Sequence, residues 1–458
     1  VFAQRDLATI TGTVTDSSGG IIANAKVTLT EVATGQVYEL VTNNSGEYTR
    51  PALKPSTYMV TVSAAGFKKA TQKDIILGAG ERIGVNIALT VGDIGQTVEV
   101  TANAPLLQTE STQVGAAINS KTLTDVPLGG QRNFAYLARL VPGVVPAENG
   151  ARDANNGGFS ANGVRSNGQN NFLLNGVDNN INTIDFLNQT AYAVGPSVEA
   201  IGEMSIITNG YNAEYGRAAG GVINVNLKSG TNQLHGSLFE ILQNKELNAN
   251  TWNSNLAGRS RAPLAQNQFG ATLGGPILKN KLFMFGDYQG TRIATAGGTV
   301  GGLGRSGFLT IPTADMKKGD FSSLLGPVNN VADAAGNIVP LAKGAIYDPG
   351  STTFLPDGLT PLARTAFPGN IIPPSRKVDT AFQNILKAYP NPNQSIISGN
   401  TPVRDFYFVS SGGQVTDQGD GRVDYRLSDK DSLFGSMSWS NTSKTSGSPF
   451  PGPLDGAD

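Results

Sequence analysis

The chain has 458 residues, with 34 Lys+Arg against 35 Asp+Glu, 57 Gly, 24 Pro, a single His and no Cys. That length allows several domains, and a net charge of -1 argues against nucleic acid as a partner. The missing Cys excludes disulfide frameworks and thiolate metal sites, and the lone His argues against a His-based metal or triad site.

Abundant Gly, with visible Asn, Ser and Thr, suits many short strands joined by turns. No apolar run reaches the ~18 residues of a transmembrane helix, which leaves open a β-barrel with short alternating strands. The opening Val1-Phe2-Ala3 before Gln4 is read either as the tail of a signal-peptide cleavage site or as a plain terminus.

Residues 8–101 read as an all-β module. Strands are expected at Ile10–Thr15, Ala25–Glu31, Val37–Thr42, Thr57–Ala64 and Arg82–Leu89, separated by turn signals such as Asn43-Asn44-Ser45-Gly46. In the fourth, Tyr58, Val60 and Val62 alternate with Thr57, Met59, Thr61 and Ser63. This spacing suggests a small sandwich. The motifs Gly12-x-Val14-x-Asp16-x-x-Gly19, Ala25-x-Val27-x-Leu29, Gly46-x-Tyr48 and Ala65-Gly66-Phe67 resemble the carboxypeptidase regulatory-like domain. The resemblance implies a transthyretin-like fold without a zinc-ligand set. Asp16 and Asp93 are expected to be turn residues.

Gln96 to Ala102 is a short alternating run. It is read either as the last strand of the sandwich or as an extended segment for a partner's sheet edge. Residues 105–230 follow. A helix is expected at Asn133–Leu140, with Phe134, Leu137 and Leu140/Val141 on one stripe, stopped by Pro142-Gly143. Asn175-Gly176 suits a tight hairpin turn.

Val198 to Gly230 is the most informative stretch: an apolar strand, then Tyr211, Tyr215 and Gly216, then Gly220-Gly221, then Ile223, Val225 and Leu227 alternating with Asn224, Asn226 and Lys228. This run resembles the end of the plug domain in TonB-dependent outer-membrane receptors. Gly163 and Arg165 match the family pattern, whereas Ser166 and Asn175 stand where Gly and Asp are common. The resemblance makes Thr97, Val98, Glu99, Val100, Thr101 and Ala102 a TonB-box-like segment. It makes Gly163, Arg165, Asn175, Gly176, Gly216, Gly220 and Gly221 structural residues of a plug. Arg165 is read as bonded within the plug, with Asp178 and Glu203 as candidate partners, or else as touching ligand. The three later glycines are expected where φ is positive or backbones approach closely.

From Thr231 onward, period-two alternation recurs at Asn267–Ile277, Arg422–Ser428 and Ser432–Ser440, where Phe434 interrupts the polar side. A soluble half-buried sheet gives the same pattern as a barrel, but very short turns (278–281 and 428–431) beside long connections (245–266 and 293–416) favour the outer-membrane arrangement. Trp252, Trp439, Tyr288 and Tyr425 are candidates for interfacial aromatic girdles or for ordinary packing. His235 has no expected role.

The fold class expected is therefore mainly β: a transthyretin-like sandwich (4–95), a TonB-box-like linker (96–104), a mixed α+β plug (105–230) and the start of a transmembrane antiparallel β-barrel (231–458), incomplete, with a long external loop at about 293–416. The resemblance is to Oar-like receptors and reads the chain as an N-terminal fragment. It implies plug-gated import across the bacterial outer membrane, a periplasmic N-terminal domain, and energy from a TonB–ExbB–ExbD complex. It also implies contact with outer-membrane lipid and a small-molecule, sugar or peptide ligand. No cofactor, metal site or enzymatic activity is expected, because nucleophile elbow, metal-ligand spacing and P-loop are all missing. The alternative is a surface adhesion or carbohydrate-binding β-protein without transport.

Overall fold

The computed structural model describes residues 7–93, 95, 97–100, 112–126, 132–146, 158–164, 170–181, 192–216, 218–256, 258, 260–297, 303–333, 335–376, 380–395, 397–398, 401–428, 431–450 and 454. The chain forms two compact units, 1–243 with 266–292 and 415–442, and 244–265 with 293–414 and 443–458.

The first unit opens with a sandwich. Its strands are β1 (Ala8–Asp16), β2 (Lys26–Glu31), β3 (Val37–Val41), β4 (Glu47–Leu53), β5 (Ser56–Ser63), β6 (Lys69–Leu77), β7 (Arg82–Gly84), β8 (Ile87–Leu89) and β9 (Thr97–Val100). One sheet runs β4-β1-β7, with β8 also on β1, and the other runs β3-β2-β5-β6-β9. Ile10, Val14, Val27, Leu29, Val60 and Val62 are buried between them, as the alternation requires. Tyr58 is fully buried and its hydroxyl donates to the Lys54 carbonyl at 2.9 Å. Burial pushes the Tyr58 phenol up, so it stays a donor. Gly12 is sterically required, since a Cβ there would lie 1.9 Å from the Val85 carbonyl oxygen.

Three features differ from the sequence expectation. The strand expected over Arg82–Leu89 is two strands, because the Asn86 side chain takes over the bond from the Thr13 N–H at 2.9 Å. β4 was hidden by Pro51 and by Ala52 at φ 60. β6 was hidden by a register shift, with Asp74 at φ 57.

Asp16 is a turn residue, accepting from the Ser18 N–H, the Ser18 hydroxyl and the Gly20 N–H. The Ser18 hydroxyl, then the turn N–H groups, hold its carboxyl below the usual range.

Then come β10 (Val114–Asn119), α1 (Ser120–Asp125), β11 (Val144–Pro146), β12 (Phe159–Ala161), β13 (Asn171–Leu174), β14 (Val177–Asp178), β15 (Ile201–Asn209) and β16 (Val222–Leu227). Five of these strands build a central sheet of order β10-β15-β16-β13-β14, and β11 pairs with β12 in a sheet of two. The helix expected at 133–140 is a 3-10 helix, Phe134–Leu140, whose start is capped by the Asn133 side chain accepting from the Ala135 N–H. Phe134 and Leu137 are buried, but Leu140 is exposed, and Val141, the extended residue that ends the helix, is buried in its place.

β17 (His235–Asn244), β18 (Leu264–Leu278), β19 (Leu282–Ala296), β20 (Arg305–Leu309), β27 (Phe406–Arg426) and β28 (Ser432–Ser446) form a third, larger sheet of order β17-β18-β19-β27-β20, with β28 also on β27. Among the described residues this sheet is open, an incomplete barrel. Between β20 and β27 lie three short hairpins: β21 (Val328–Ala332) with β22 (Ile338–Ala342), β23 (Thr353–Phe354) with β24 (Pro361–Ala363), and β25 (Ile397–Ser398) with β26 (Thr401–Pro402). The second unit also contains α2 (Trp252–Leu256), α3 (Ala314–Lys318) and α4 (Thr380–Ala388). The expected loop over 293–416 is therefore shorter, since β19 continues to Ala296 and β27 begins at Phe406. The polar stretch 410–420 masked the alternation that marks its strand.

Two outcomes test the sandwich. Residues 4–95 alone should melt cooperatively with a β-type spectrum, and Leu29→Ala should lower their stability by about 3 kcal/mol in urea titration. Because the Asp16 carboxyl is depressed, its stabilisation is present above the unfolded value near ~3.9 and is lost as pH falls below it. Asp16→Ala should flatten that acid limb.

Candidate functional site

The large sheet is inverted relative to a soluble one. Its polar side chains are buried: Gln266, Gln268 and Thr272 on β18, Gln289 and Thr291 on β19, and Thr416, Asp420, Arg422 and Asp424 on β27. Its apolar side chains face outward: Leu238 is 87% exposed and Met437 74%, and Leu273, Ile277, Val423, Leu433 and Trp439 are exposed as well. A soluble sheet would bury the second set. This arrangement fits a wall with hydrocarbon outside and a polar body inside.

The polar face bonds to the central sheet and its loops. The Ser197 hydroxyl donates to Asp287 Oδ2 at 2.6 Å, and also caps the 3-10 turn Val198–Ala200 by accepting from the Ala200 N–H. The Arg132 N–H donates to Gln268 Oε1 at 3.0 Å, while its guanidinium pairs with Glu199 at 2.8 Å. Gln418 Nε2 donates to the Gly195 carbonyl at 3.4 Å.

The densest part of this seam is a node around Asp424. Arg422 donates to both of its oxygens, Nε to Oδ2 at 2.8 Å and Nη2 to Oδ1 at 3.1 Å. Lys54 of the sandwich donates to Oδ1 at 2.7 Å, and the Ser229 hydroxyl donates to Oδ2 at 2.7 Å. Arg422 Nη1 also reaches Asn175 Oδ1 at 3.2 Å and the Leu227 carbonyl at 3.3 Å. Both charged residues are buried, Arg422 at 7% and Asp424 at 3% exposure. An ion pair this deep persists only because its remaining donors and acceptors are filled. Phe434, the one apolar residue on the polar side of β28, lies under Arg422, whose guanidinium carbon is 4.7 Å from the ring centroid.

Asn175 and Gly176, at φ 51 and φ 76, form the tight β13–β14 turn that their sequence suits. Sequence reasoning saw the turn but missed the Asn175 side chain. It accepts from the Leu227 N–H at 3.0 Å and donates to the Ser436 hydroxyl at 3.2 Å. Lys54, Arg422 and Asp424 were also missed; the one signal was their charge, in Arg422 and Asp424 at alternate positions on a strand.

The other expected residues divide. Gly163 has φ 75, a conformation that favours glycine. Gly221 has no such φ, and a Cβ there would meet only ordinary contacts at 3.5 Å and beyond. Gly216 is exposed with open space around an added Cβ, so neither expected reason for glycine exists there. Gly220 is buried. Arg165, Thr101 and Ala102 lie outside the described residues; Glu203, one of Arg165's candidate partners, accepts from the Ala79 N–H at 3.0 Å. Thr97, Val98, Glu99 and Val100 form β9, paired in parallel with Lys69–Gln72 of β6 at the edge of the sandwich. Trp252 sits on α2 instead of a strand of the wall, whereas Trp439 is outward-facing on β28. Among the described residues, no group of three or more His, Cys, Asp or Glu could hold a metal ion.

A family model described as an outer membrane beta barrel domain matches residues 226–458, and a carboxypeptidase regulatory-like domain matches residues 9–90. The TonB-dependent transporter Oar of Myxococcus xanthus is 32% identical over 326 residues, 64% of this chain and 28% of Oar. The chain thus spans less than a third of that relative's length. Among solved structures, the outer membrane transporter YddB from Escherichia coli overlaps with a TM-score of 0.41 at 11% identity, over 75% of this chain and 35% of that one. Catechol 1,2-dioxygenase from Acinetobacter radioresistens overlaps with a TM-score of 0.16 at 15% identity, over 23% of this chain and 57% of that one. Both scores are too low to bear on function. The sequence relative is a transporter.

The inverted wall generates a paired outcome. Leu238→Arg should cost about 2–4 kcal/mol of membrane stability if it lies near mid-bilayer, read as lost folded protein on heat-modified gels, whereas Leu238→Phe should assemble normally. At the node, Asn175→Ala should destabilise the central sheet by about 2 kcal/mol, because it leaves the buried Leu227 N–H unpaired.

Proposed function

This chain belongs to the outer-membrane β-barrel family and resides in the bacterial outer membrane; from that premise we propose that it is part of a TonB-dependent importer whose central sheet is the gating plug. The observation that carries the reading is the polar seam. The wall presents Gln268, Asp287, Arg422 and Asp424 to the central sheet and apolar side chains to the outside. Such a seam holds a plug through many separate hydrogen bonds, each worth about 1–3 kcal/mol net. It can therefore be broken by sequential pulling without unfolding the wall.

In this reading the ligand, a small molecule, sugar or peptide, binds from the external side. The sandwich lies in the periplasm. Its bonds to the short β18–β19 turn support that placement, since the Asn232 amide links the Thr34 carbonyl, at 2.8 Å, to Asn280, at 2.7 Å. Short turns face the periplasm in such barrels. β9 is the strand offered to the TonB–ExbB–ExbD complex. Its place at a sheet edge, held by one parallel neighbour, leaves it removable and able to add to a partner's sheet.

Val100→Pro tests this. It removes a main-chain donor and fixes φ. In a deletion strain complemented with the full-length protein and fed a panel of siderophores, sugars and peptides, the variant should lose energised uptake at least tenfold while surface binding persists. Uptake equal to wild type on the nutrient that the parent imports would overturn the role of β9.

A further inference from the structure

We infer that the sandwich is a lock on the plug: its docking fixes the plug's last strand and exit segment to the wall, and it must lift before the plug can move. This goes beyond the import reading, because it assigns a task to a domain that import as such does not require.

The observations are contacts at three points, all within the first unit. Lys54 reaches out of the β4–β5 turn to Asp424, where it shares the carboxylate with Ser229 of the exit segment and with Arg422. Asn232, three residues farther along that segment, is bonded to the sandwich through its N–H to the Ala33 carbonyl at 3.1 Å and its Nδ2 to the Thr34 carbonyl at 2.8 Å. The same side chain exchanges bonds with Asn280 of the wall, Nδ2 to Oδ1 at 2.7 Å and Oδ1 from the Asn280 N–H at 2.8 Å. The third point is the Ala79 N–H on Glu203 of β15. The sandwich thus holds β15, the segment leaving β16, and the wall together.

The contacts are of a releasable kind. They surround a cleft of about 870 Å³, walled by Ile75 and Leu77 of the sandwich, Asn226 and Lys228 of the plug, and Phe283 and Tyr425 of the wall. This is a set of polar struts around open space, not a packed apolar interface. Lys54 remains partly solvated, with 27% of its side chain exposed. Asn226 is buried with neither amide atom bonded. Such a group is destabilising, and lifting the sandwich would hydrate it. Burial likewise pushes the Lys228 ammonium below its ordinary value, a cost also relieved on opening. Docking is therefore opposed from within the cleft and held by its struts.

The test is hydrogen exchange by mass spectrometry on the full chain in lipid nanodiscs. It needs no ligand, so its failure is distinguishable from failure of the import reading. Lys54→Met combined with Asn232→Ala should speed exchange of 201–209 and 222–227 about tenfold or more, the scale of losing a charge-assisted bond. Sandwich peptides 26–31 and 56–63 should stay protected. Lys54→Arg should stay near wild type, and so should Lys26→Met, which removes only the exposed pair with Glu39 on the same sandwich. Unchanged exchange of 201–209 and 222–227 in the double variant would overturn the lock, as would an equal effect from Lys26→Met.

Discussion

The buried pair of Arg422 with Asp424 is the interaction on which the rest of the arrangement depends. Two opposite charges on alternate residues of one strand point to the same side, the side that a soluble sheet would fill with apolar groups. They can stay there only if their remaining hydrogen-bonding capacity is met, since removing one partner of such a pair leaves a charge costing about 3–5 kcal/mol. The wall alone cannot meet it. The central sheet and its exit segment supply Asn175, the Leu227 carbonyl and Ser229, and the sandwich supplies Lys54, while Phe434 of the wall itself supplies a ring face. A wall with this face needs a polar body inside it, and the opposite face needs hydrocarbon.

This constraint also explains the sequence of the central sheet. β16 alternates Ile223, Val225 and Leu227 with Asn224, Asn226 and Lys228, although nearly the whole strand is buried. Ile223 and Val225 pack with Phe172, Met204 and Ile206 in one core, whereas Leu227 clusters with Ala200 and with Phe285 of the wall. Of the polar set, Asn224 accepts from the Gly176 N–H of the β13–β14 turn, and Asn226 and Lys228 border the cleft.

How much was legible follows from which signals are local. Turn chemistry and strict alternation are local, so Tyr58, Val60 and Val62, the Asn175-Gly176 turn and the alternating faces of β18 were readable. β4 and β6 were not, because Pro51, Ala52 and Asp74 break the period where the chain bends. The length of β27 was hidden by a polar stretch that only a buried inner face explains. Alternation alone left a soluble sheet and a membrane wall equal; exposure of Leu238, Leu273 and Met437 separates them. Lys54, Asn232 and Asp424 were illegible as a group. They stand far apart in the chain, and nothing in a lone Lys, Asn or Asp announces the partner that a fold will bring to it.

The wall's odd-numbered β18 residues face lipid and its even-numbered ones face the central sheet. The most direct measurement of this is spin-label accessibility along β18 in bilayers. Single cysteines at 267 to 274 in the full chain would each carry a nitroxide, with relaxation by oxygen compared against a water-soluble nickel chelate. The account predicts period-two alternation: high oxygen access at 267, 269, 271 and 273, and low access to both reagents at 268, 270, 272 and 274. Flat access along the strand, or oxygen maxima at the even positions, would contradict it.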